Sequence, residues 1–232
     1  NLTLPLNYDR AFTAWLPKAS LAWDISPSLR VGALAQRASN PGGINLNTGR
    51  KRVELFDAEH LWDFELFARA RLAGGKLTLT ANAFRYEMTD VQRTQTTFIL
   101  QPNGPPFPNT RVDNAPRAWT KGIELEMDWL PSRRFHLSGA IGLLDTRITS
   151  SPDTNMLGKQ FQRSPHFSGS VSVVWNPVDA LSLSAQARHN SGYFSDDLQT
   201  ATRRIDGSTT VDAKVSRTWN GVTMFGYVRN LF

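Results

Sequence analysis

Side chains that could do chemistry are few in this sequence. The histidines lie far apart, and none falls in the spacing of a metal-binding motif: His60, His136, His166 and His189. Glu124, Glu126 and Asp128 share one face of a candidate strand, and paired carboxylates can act as general acid and base. On a strand they are about 7 Å apart and open to water, with no apolar pocket to raise a pKa. We therefore expect no enzyme, no metal site and no cofactor.

Composition limits the classes of protein further. The chain has 232 residues, 40% of them hydrophobic, and no cysteine, so disulfides and thiolate chemistry are excluded. No apolar run approaches the roughly 20 residues of a transmembrane helix. The net charge of +6 would attract anions, but Lys and Arg are spread along the chain, and the longest basic run is Arg50–Arg52, followed by pairs such as Arg203–Arg204. We expect a membrane surface or an anionic ligand as the partner, and no nucleic acid.

Alternation with a period of two residues dominates the sequence and predicts strands. In Leu61–Leu72 the even positions are apolar and most odd ones charged, and Lys121–Leu130 divides in the same way. A helix of 3.6 residues per turn would not produce this division. We predict ten strands, centred on residues 19–25, 29–35, 61–72, 77–83, 121–130, 135–143, 167–175, 181–187, 211–215 and 222–229.

The connections between these strands alternate between short and long. Short turns rich in Gly, Pro, Asn, Asp and Ser are expected at 26–28, 74–75, 131–133, 176–179 and 220–221. Long polar loops are expected at 39–60, 89–117, 146–165 and 190–207. Short turns on one side and long loops on the other are typical of an antiparallel up-and-down transmembrane β-barrel.

Tryptophan and charge patterns support this interpretation. Four tryptophans precede short turns on the apolar side of their strands and predict a membrane-interface girdle: Trp23, Trp129, Trp175 and Trp219. Charged residues on the other face predict a polar lumen: Asp63, Glu65, Arg69, Arg71, Glu124, Glu126, Asp128, Arg188, Asp212 and Lys214. So many inward charges favour a wide barrel over a small one filled by its own side chains.

Several ordered motifs resemble the C-terminal part of the barrel of TonB-dependent outer-membrane receptors, especially the siderophore-receptor type. The similar segments are Trp15–Leu21, Asn40–Asn45, Asn114–Ala115 with Lys121–Glu126, Gly192–Phe194, Thr210–Ala213 and Val228–Phe232. Members of that family also carry a plug domain, a TonB box and a final hairpin, which are not visible in this sequence. The resemblance thus implies a partial barrel domain over residues 1–232, with the plug absent and ten of roughly 22 strands present.

The same resemblance implies a function and partners. It implies uptake of a ferric siderophore or a similar large, scarce solute through the bacterial outer membrane, energised by TonB through the missing plug, in contact with lipid and lipopolysaccharide. Basic and aromatic loop residues are the candidate ligand contacts, with Arg37 the first choice because it lies near the Pro-Gly-Gly loop. The candidates are Arg37, Arg50, Lys51, Arg52, Arg93, Arg111, Arg117, Arg163, Tyr193, Phe194, Arg203 and Arg204.

Two other readings remain open at this stage. One is a small channel closed by ten strands that is not energised. The other is a soluble β-sheet domain that binds a carbohydrate or another ligand. The soluble reading predicts that the even residues of Trp62–Leu72 are buried against a second sheet, whereas the membrane reading predicts that they are exposed.

Overall fold

The computed structural model describes residues 8–47, 52–101 and 104–231. Its main element is one antiparallel sheet of ten strands. In order across the sheet these are β1 (Lys18–Ser26), β2 (Leu29–Asn40), β5 (Glu59–Leu72), β6 (Leu77–Gln101), β7 (Gly104–Ser132), β8 (Phe135–Ser150), β9 (Phe167–Val178), β10 (Leu181–Asn190), β13 (Ser208–Trp219) and β14 (Val222–Val228). All ten predicted strands are confirmed, and each sheet neighbour is the next of these ten along the chain.

Short elements decorate the connections of this sheet. Two further hairpins stand apart from it, β3 (Gly43–Asn47) with β4 (Arg52–Phe56), and β11 (Tyr193–Phe194) with β12 (Arg204–Ile205). Three single turns of 3₁₀ helix lie at Ala73–Gly75, Thr154–Met156 and Ala201–Arg203. No helix in the described ranges has the length and apolar character needed to cross a membrane.

The two ends of the sheet differ as the sequence predicts. Tight turns join β1 to β2, β5 to β6, β7 to β8, β9 to β10 and β13 to β14, and we call this side the turn end. The long connections meet at the opposite side, which we call the loop end. β1 and β14 form the two edges and do not pair with each other within the described residues, so the sheet is open.

The prediction of a long irregular loop over residues 89–117 is wrong. β6 and β7 continue through this region as one hairpin, paired from Leu77↔Trp129 up to Gln101↔Gly104. The part of the hairpin nearest its Gln101–Gly104 end carries polar side chains on both faces, such as Thr94, Gln95 and Thr110. It therefore has no apolar alternation that would predict strands. Backbone hydrogen bonding extends the hairpin where a hydrophobic pattern does not.

The sheet has one apolar and one polar face. Directly paired residues project from the same face, and Leu66, Ala83 and Ile123 form one such row while Glu65, Phe84 and Gly122 form the adjacent row on the opposite face. The apolar face is bare: Leu66 is 64% exposed and Leu125 is 41% exposed. A soluble sheet would cover these side chains, whereas a sheet in lipid leaves them at its surface.

The buried apolar core of the described residues is small and lies at the loop end. It comprises Val91, Ala115, Ala118, Ile148 and Met156, with Met88 and Phe161 packed against it. The 3₁₀ turn that holds Met156 is capped by Asp153, whose carboxylate accepts from the backbone N–H of Asn155 at 3.0 Å. This cluster anchors the connection between β8 and β9 to the β6–β7 hairpin.

Candidate functional site

A buried ion pair at the loop end joins two distant parts of the chain. Arg93 on β6 forms a bidentate pair with Asp197, which lies between β11 and β12, and its Nε donates to Asp197 Oδ2 at 2.8 Å. The two side chains are only 14% and 3% exposed. The guanidinium carbon also lies 4.3 Å from the ring centroid of Phe161. Charge-assisted, bidentate bonds of this kind fix geometry strongly when water is excluded.

The same carboxylate ties in a third connection. The backbone N–H of Gln162 donates to Asp197 Oδ1 at 2.7 Å, and the N–H of Arg163 donates to the carbonyl of Phe194 at 2.8 Å. Residues 159–164, between β8 and β9, are thereby joined to β11 and to the β6–β7 hairpin. The three connections form one loop cluster around Asp197.

The β3–β4 hairpin docks against β7 of the β6–β7 hairpin. The amide of Asn45 donates to the carbonyl of Val112 at 2.7 Å and accepts from its N–H at 2.8 Å, which imitates a strand pairing. Asn114 adds bonds to the backbone of Asp57. Because Asn45 is buried, these bonds hold the hairpin against β7 with water excluded.

The structure brings six of the candidate ligand contacts together in the loop cluster: Arg93, Arg163, Tyr193, Phe194, Arg203 and Arg204. Arg204 pairs with Phe194, and its Nε lies 3.5 Å from Asp206 Oδ1. Arg163 is exposed, and the side chain of Arg203 is 41% exposed with a 3.8 Å contact to Asp196. Arg93 differs from these because its Nε and Nη2 both donate to Asp197 and its side chain is only 14% exposed. It holds the cluster together and has little surface left for a ligand.

The other candidate contacts lie elsewhere. Arg52 pairs with Glu54 on the β3–β4 hairpin, and Arg111 pairs with Asp113. Arg50 and Lys51 lie outside the described residues.

Two candidates project from the apolar face of the sheet. Arg37 pairs with Trp62 and so shares its face, and Arg117 lies two residues before Trp119 on β7. Both side chains therefore point away from the polar face and do not belong to the loop cluster.

The ten charged residues expected to line a lumen share the polar face by register. Arg69 pairs with Thr80 and Thr80 with Glu126, while Asp212 pairs with Gln186. Several make local contacts there: Asp128 lies 2.6 Å from His136 Nε2, and Asp63 accepts from Gln36 at 2.7 Å. This face therefore presents acids, bases and amides side by side.

Six of the seven tryptophans occupy two heights on the apolar face. Trp23, Trp129, Trp175 and Trp219 lie exposed at the turn end, where the sequence predicts a girdle. Trp62 and Trp119 form a second row at the loop end, because both pair with Glu87, which lies between them. The sequence-based reasoning missed this row, although Trp119 and Trp129 have the same parity ten residues apart. Between them lie Ile123, Leu125 and Met127.

These features define the class of protein. An antiparallel sheet with a bare apolar face, a charged opposite face, turns at one end and long connections at the other is a section of an outer-membrane β-barrel wall. The soluble reading is wrong, because Trp62 and Leu66 are exposed and no second sheet covers them in the described ranges. Ten strands closed into a small channel would pair β1 with β14, and the described sheet does not.

Comparison with known families gives the family. The family described as TonB dependent receptor-like, beta-barrel matches residues 2–231, and the chain belongs to this family of outer-membrane proteins. Among solved structures, it is similar to the ferric yersiniabactin uptake receptor FyuA from Yersinia pestis (20% identity, TM-score 0.73) and the siderophore receptor PiuA from Acinetobacter baumannii (17%, 0.75). The ferric-catecholate import receptor Fiu from E. coli K12 is a third (16%, 0.69).

These matches differ in how much of each protein they cover. They include 93%, 92% and 92% of this chain but only 32%, 31% and 30% of FyuA, PiuA and Fiu, so the chain spans about a third of their length. At these identities the likeness establishes the fold of the segment.

Proposed function

We propose that this chain is part of the wall of a receptor that captures a ferric siderophore and passes it through the outer membrane, energised by TonB through a plug domain. The observation that carries the proposal is the loop cluster, which ties the exposed Arg163, the half-exposed Arg203 and the half-buried Tyr193 and Phe194 into one unit at the loop end. The three solved relatives named above carry siderophore or ferric-ligand uptake in their descriptions.

The chemistry of the cluster suits such a ligand. Ferric siderophores are commonly anionic and often contain aromatic groups, and guanidinium groups bind such anions through charge-assisted hydrogen bonds. Tyr193 and Phe194 are half-buried neighbours on β11 whose side chains project to opposite sides of the strand, so one of the two rings can stack on the same ligand. The charged face below the cluster gives a captured, hydrated solute a polar path once the plug rearranges.

An uptake assay tests this proposal. The full-length protein is expressed in cells that lack their own siderophore receptors, and the cells are offered iron-55 bound to catecholate, hydroxamate or phenolate siderophores, with and without a protonophore. We expect one class to accumulate, and the protonophore to abolish accumulation. Arg163→Ala with Arg203→Ala should raise the half-saturating concentration about tenfold or more, since each lost charged hydrogen bond is worth about 1.5–3 kcal/mol.

A matched pair of substitutions controls for loss of positive charge. Arg133→Ala with Arg217→Ala removes two exposed cations at the turn end and should leave uptake unchanged. Accumulation that persists in the protonophore would contradict an energised receptor. Accumulation of cobalamin, a nickel chelate, copper or an oligosaccharide instead of any ferric siderophore would contradict the proposed substrate class.

A further inference from the structure

A second group of aromatic and cationic side chains lies near the turn end of β13 and β14. Phe225 and Tyr227 stack on β14 with their ring centroids 6.3 Å apart and their planes 21° apart, and they are 62% and 61% exposed. Lys214 Nζ lies 5.0 Å from the ring centroid of Phe225, and the guanidinium carbon of Arg229 lies 5.0 Å from that of Tyr227. We call these four residues the Tyr227 site.

The register places the Tyr227 site on the polar face. Tyr227 pairs with Lys214 and Lys214 pairs with Ser184, while Phe225, two residues before Tyr227, projects from the same face. Phe225 is four residues from Gly221 in the β13–β14 turn. At about 3.4 Å per residue and a tilt of about 45°, that separation is about 10 Å across the membrane. The site therefore lies inside the polar wall, close to its opening at the turn end.

An open cavity of about 420 Å³ lies against these side chains, and Ser172, Ser184 and Gln186 also line it. Pockets for small ligands usually measure about 300–1,000 Å³. This cavity therefore accepts a single substituted ring. The two hydroxyls and the amide can exchange hydrogen bonds with polar substituents of such a ring.

The lining of the cavity carries an excess of positive charge. Lys214 and Arg229 are exposed, and neither forms an ion pair with a residue that the structure describes. Asp212 also lines the cavity, and its Oδ1 accepts a hydrogen bond from the backbone N–H of Asn230 at 3.0 Å. Among the described lining residues, two cations thus face one carboxylate, so the cavity attracts an anion.

Exposed rings beside free cations are suited to a ligand that is both flat and negatively charged. Aromatic rings stack on one another in offset geometry, and guanidinium and ammonium groups bind carboxylate or phenolate oxygens through charge-assisted hydrogen bonds. The loop cluster combines the same two chemistries at the opposite end of the wall. A hydroxamate group has no ring and would leave Phe225 and Tyr227 without a stacking partner.

We propose that the Tyr227 site holds an aromatic arm of the captured solute, a catecholate or phenolate ring, before the solute leaves at the turn end. This inference rests on the siderophore uptake proposed above, and it narrows the substrate class to siderophores whose iron ligands are aromatic. Tyr227 and Phe225 stack on the ring, and Lys214 and Arg229 bind its anionic oxygens. The loop cluster and the Tyr227 site then bind the same chemical group at the two ends of the passage.

Binding of a small aromatic anion tests the site directly. The probe is salicylate, and titrations followed by saturation-transfer NMR measure its binding to the full-length protein purified in mild detergent. The parent protein carries Arg163→Ala with Arg203→Ala, so that the loop cluster does not contribute. In this parent, Lys214→Gln with Arg229→Gln should weaken binding about tenfold or more. Tyr227→Leu should weaken it about threefold or more, whereas Tyr227→Phe keeps the ring and should bind like the parent.

A matched control removes two cations from another part of the polar face. Arg69→Gln with Arg71→Gln changes β5, six strands from β13 in the sheet, and should leave salicylate binding unchanged. Salicylamide lacks the carboxylate and cyclohexanecarboxylate lacks the aromatic ring, so each should bind at least about fivefold more weakly than salicylate. Heat-modifiable mobility in gels verifies that each variant is folded. The proposal is overturned if the parent does not bind salicylate, if the folded site variants bind it as the control does, or if cyclohexanecarboxylate binds equally tightly.

Uptake kinetics separate this inference from the function on which it rests. With a ferric catecholate siderophore, Lys214→Gln with Arg229→Gln should lower the maximal rate about threefold or more, because the solute loses a site that stabilises it along the passage. The half-saturating concentration should not change, whereas Arg163→Ala with Arg203→Ala raises it. An unchanged maximal rate, or uptake of hydroxamate siderophores alone, would overturn the inference. If no ferric siderophore accumulates, the proposed function fails, and salicylate binding still decides whether the Tyr227 site exists.

Discussion

A charge placed at the centre of the apolar face should destabilise the protein far more than the same charge on the polar face. Leu125 is six residues from Trp119 and four from Trp129 on β7. Trp119 and Trp129 mark the two membrane interfaces on this strand. At about 3.4 Å per residue and a tilt of about 45°, Leu125 lies about 14 Å from the interface at Trp119 and about 10 Å from the interface at Trp129. Leu125 is thus close to the middle of the membrane, and its side chain projects from the lipid-facing side.

The expected magnitude follows from this depth. An arginine on the lipid face of a barrel costs about 2–4 kcal/mol at the midplane and about 0–1 kcal/mol near an interface. Leu125→Arg should therefore lower the free energy of unfolding by about 2–4 kcal/mol. Thr80→Arg is the matched control, because Thr80 pairs with Glu126, one residue away in depth, and projects from the polar face. It should change the same free energy by less than about 1 kcal/mol.

The assay is urea titration of the full-length protein refolded in lipid vesicles. Tryptophan fluorescence gives the transition, and heat-modifiable gel mobility gives the folded fraction independently. A loss in Leu125→Arg no larger than that in Thr80→Arg would refute the assignment of the two faces. Lys121 is four residues from Leu125 and projects from the same face. It shows that a cation is accepted near the end of the apolar band, close to Trp119.

Two further outcomes follow from the loop end and from the sheet. Asp197→Asn breaks a buried ion pair, a change worth about 3–5 kcal/mol, so amide hydrogen exchange over residues 191–205 should accelerate. Asp206→Asn, which breaks an exposed pair, should leave exchange unchanged, and equal behaviour of the two variants would count against the tied cluster. Gly122→Ala forces a methyl group against the ring of Phe84 and should lower unfolding free energy by about 1–3 kcal/mol. Gly226→Ala meets only ordinary contacts and should be nearly neutral, so an equal loss at both glycines would contradict the close packing at Gly122.

The strands that cross the membrane could be predicted because one face of each contacts lipid and the other faces a polar interior. Leu66 beside Glu65 and Leu125 beside Glu124 give an alternation that few other arrangements produce. Towards its tip the β6–β7 hairpin carries polar side chains on both faces, so Thr94 and Gln95 give no such alternation. Sequence reasoning therefore placed a loop where the structure has paired strands.

The loop cluster was beyond prediction for a different reason. Arg93 and Asp197 are 104 residues apart, and nothing in the local pattern of either marks the other as a partner. The sequence suggests Arg93 as a ligand contact only because it is charged. Its bidentate pair with Asp197, which only the structure reveals, shows that Arg93 holds the connections together. The upper tryptophan row was within reach, since Trp119 repeats the parity of Trp129.

The tying of three connections through Asp197 has a consequence for the rate of encounter. Separate, mobile loops must be ordered when a solute arrives, and that loss of entropy slows or weakens capture. A surface that is already fixed docks its solute nearly as a rigid body, so collision and electrostatic attraction set the association rate. For the capture proposed above, the association rate is then governed by diffusion to a ready-made surface, and selectivity resides in how long the solute stays.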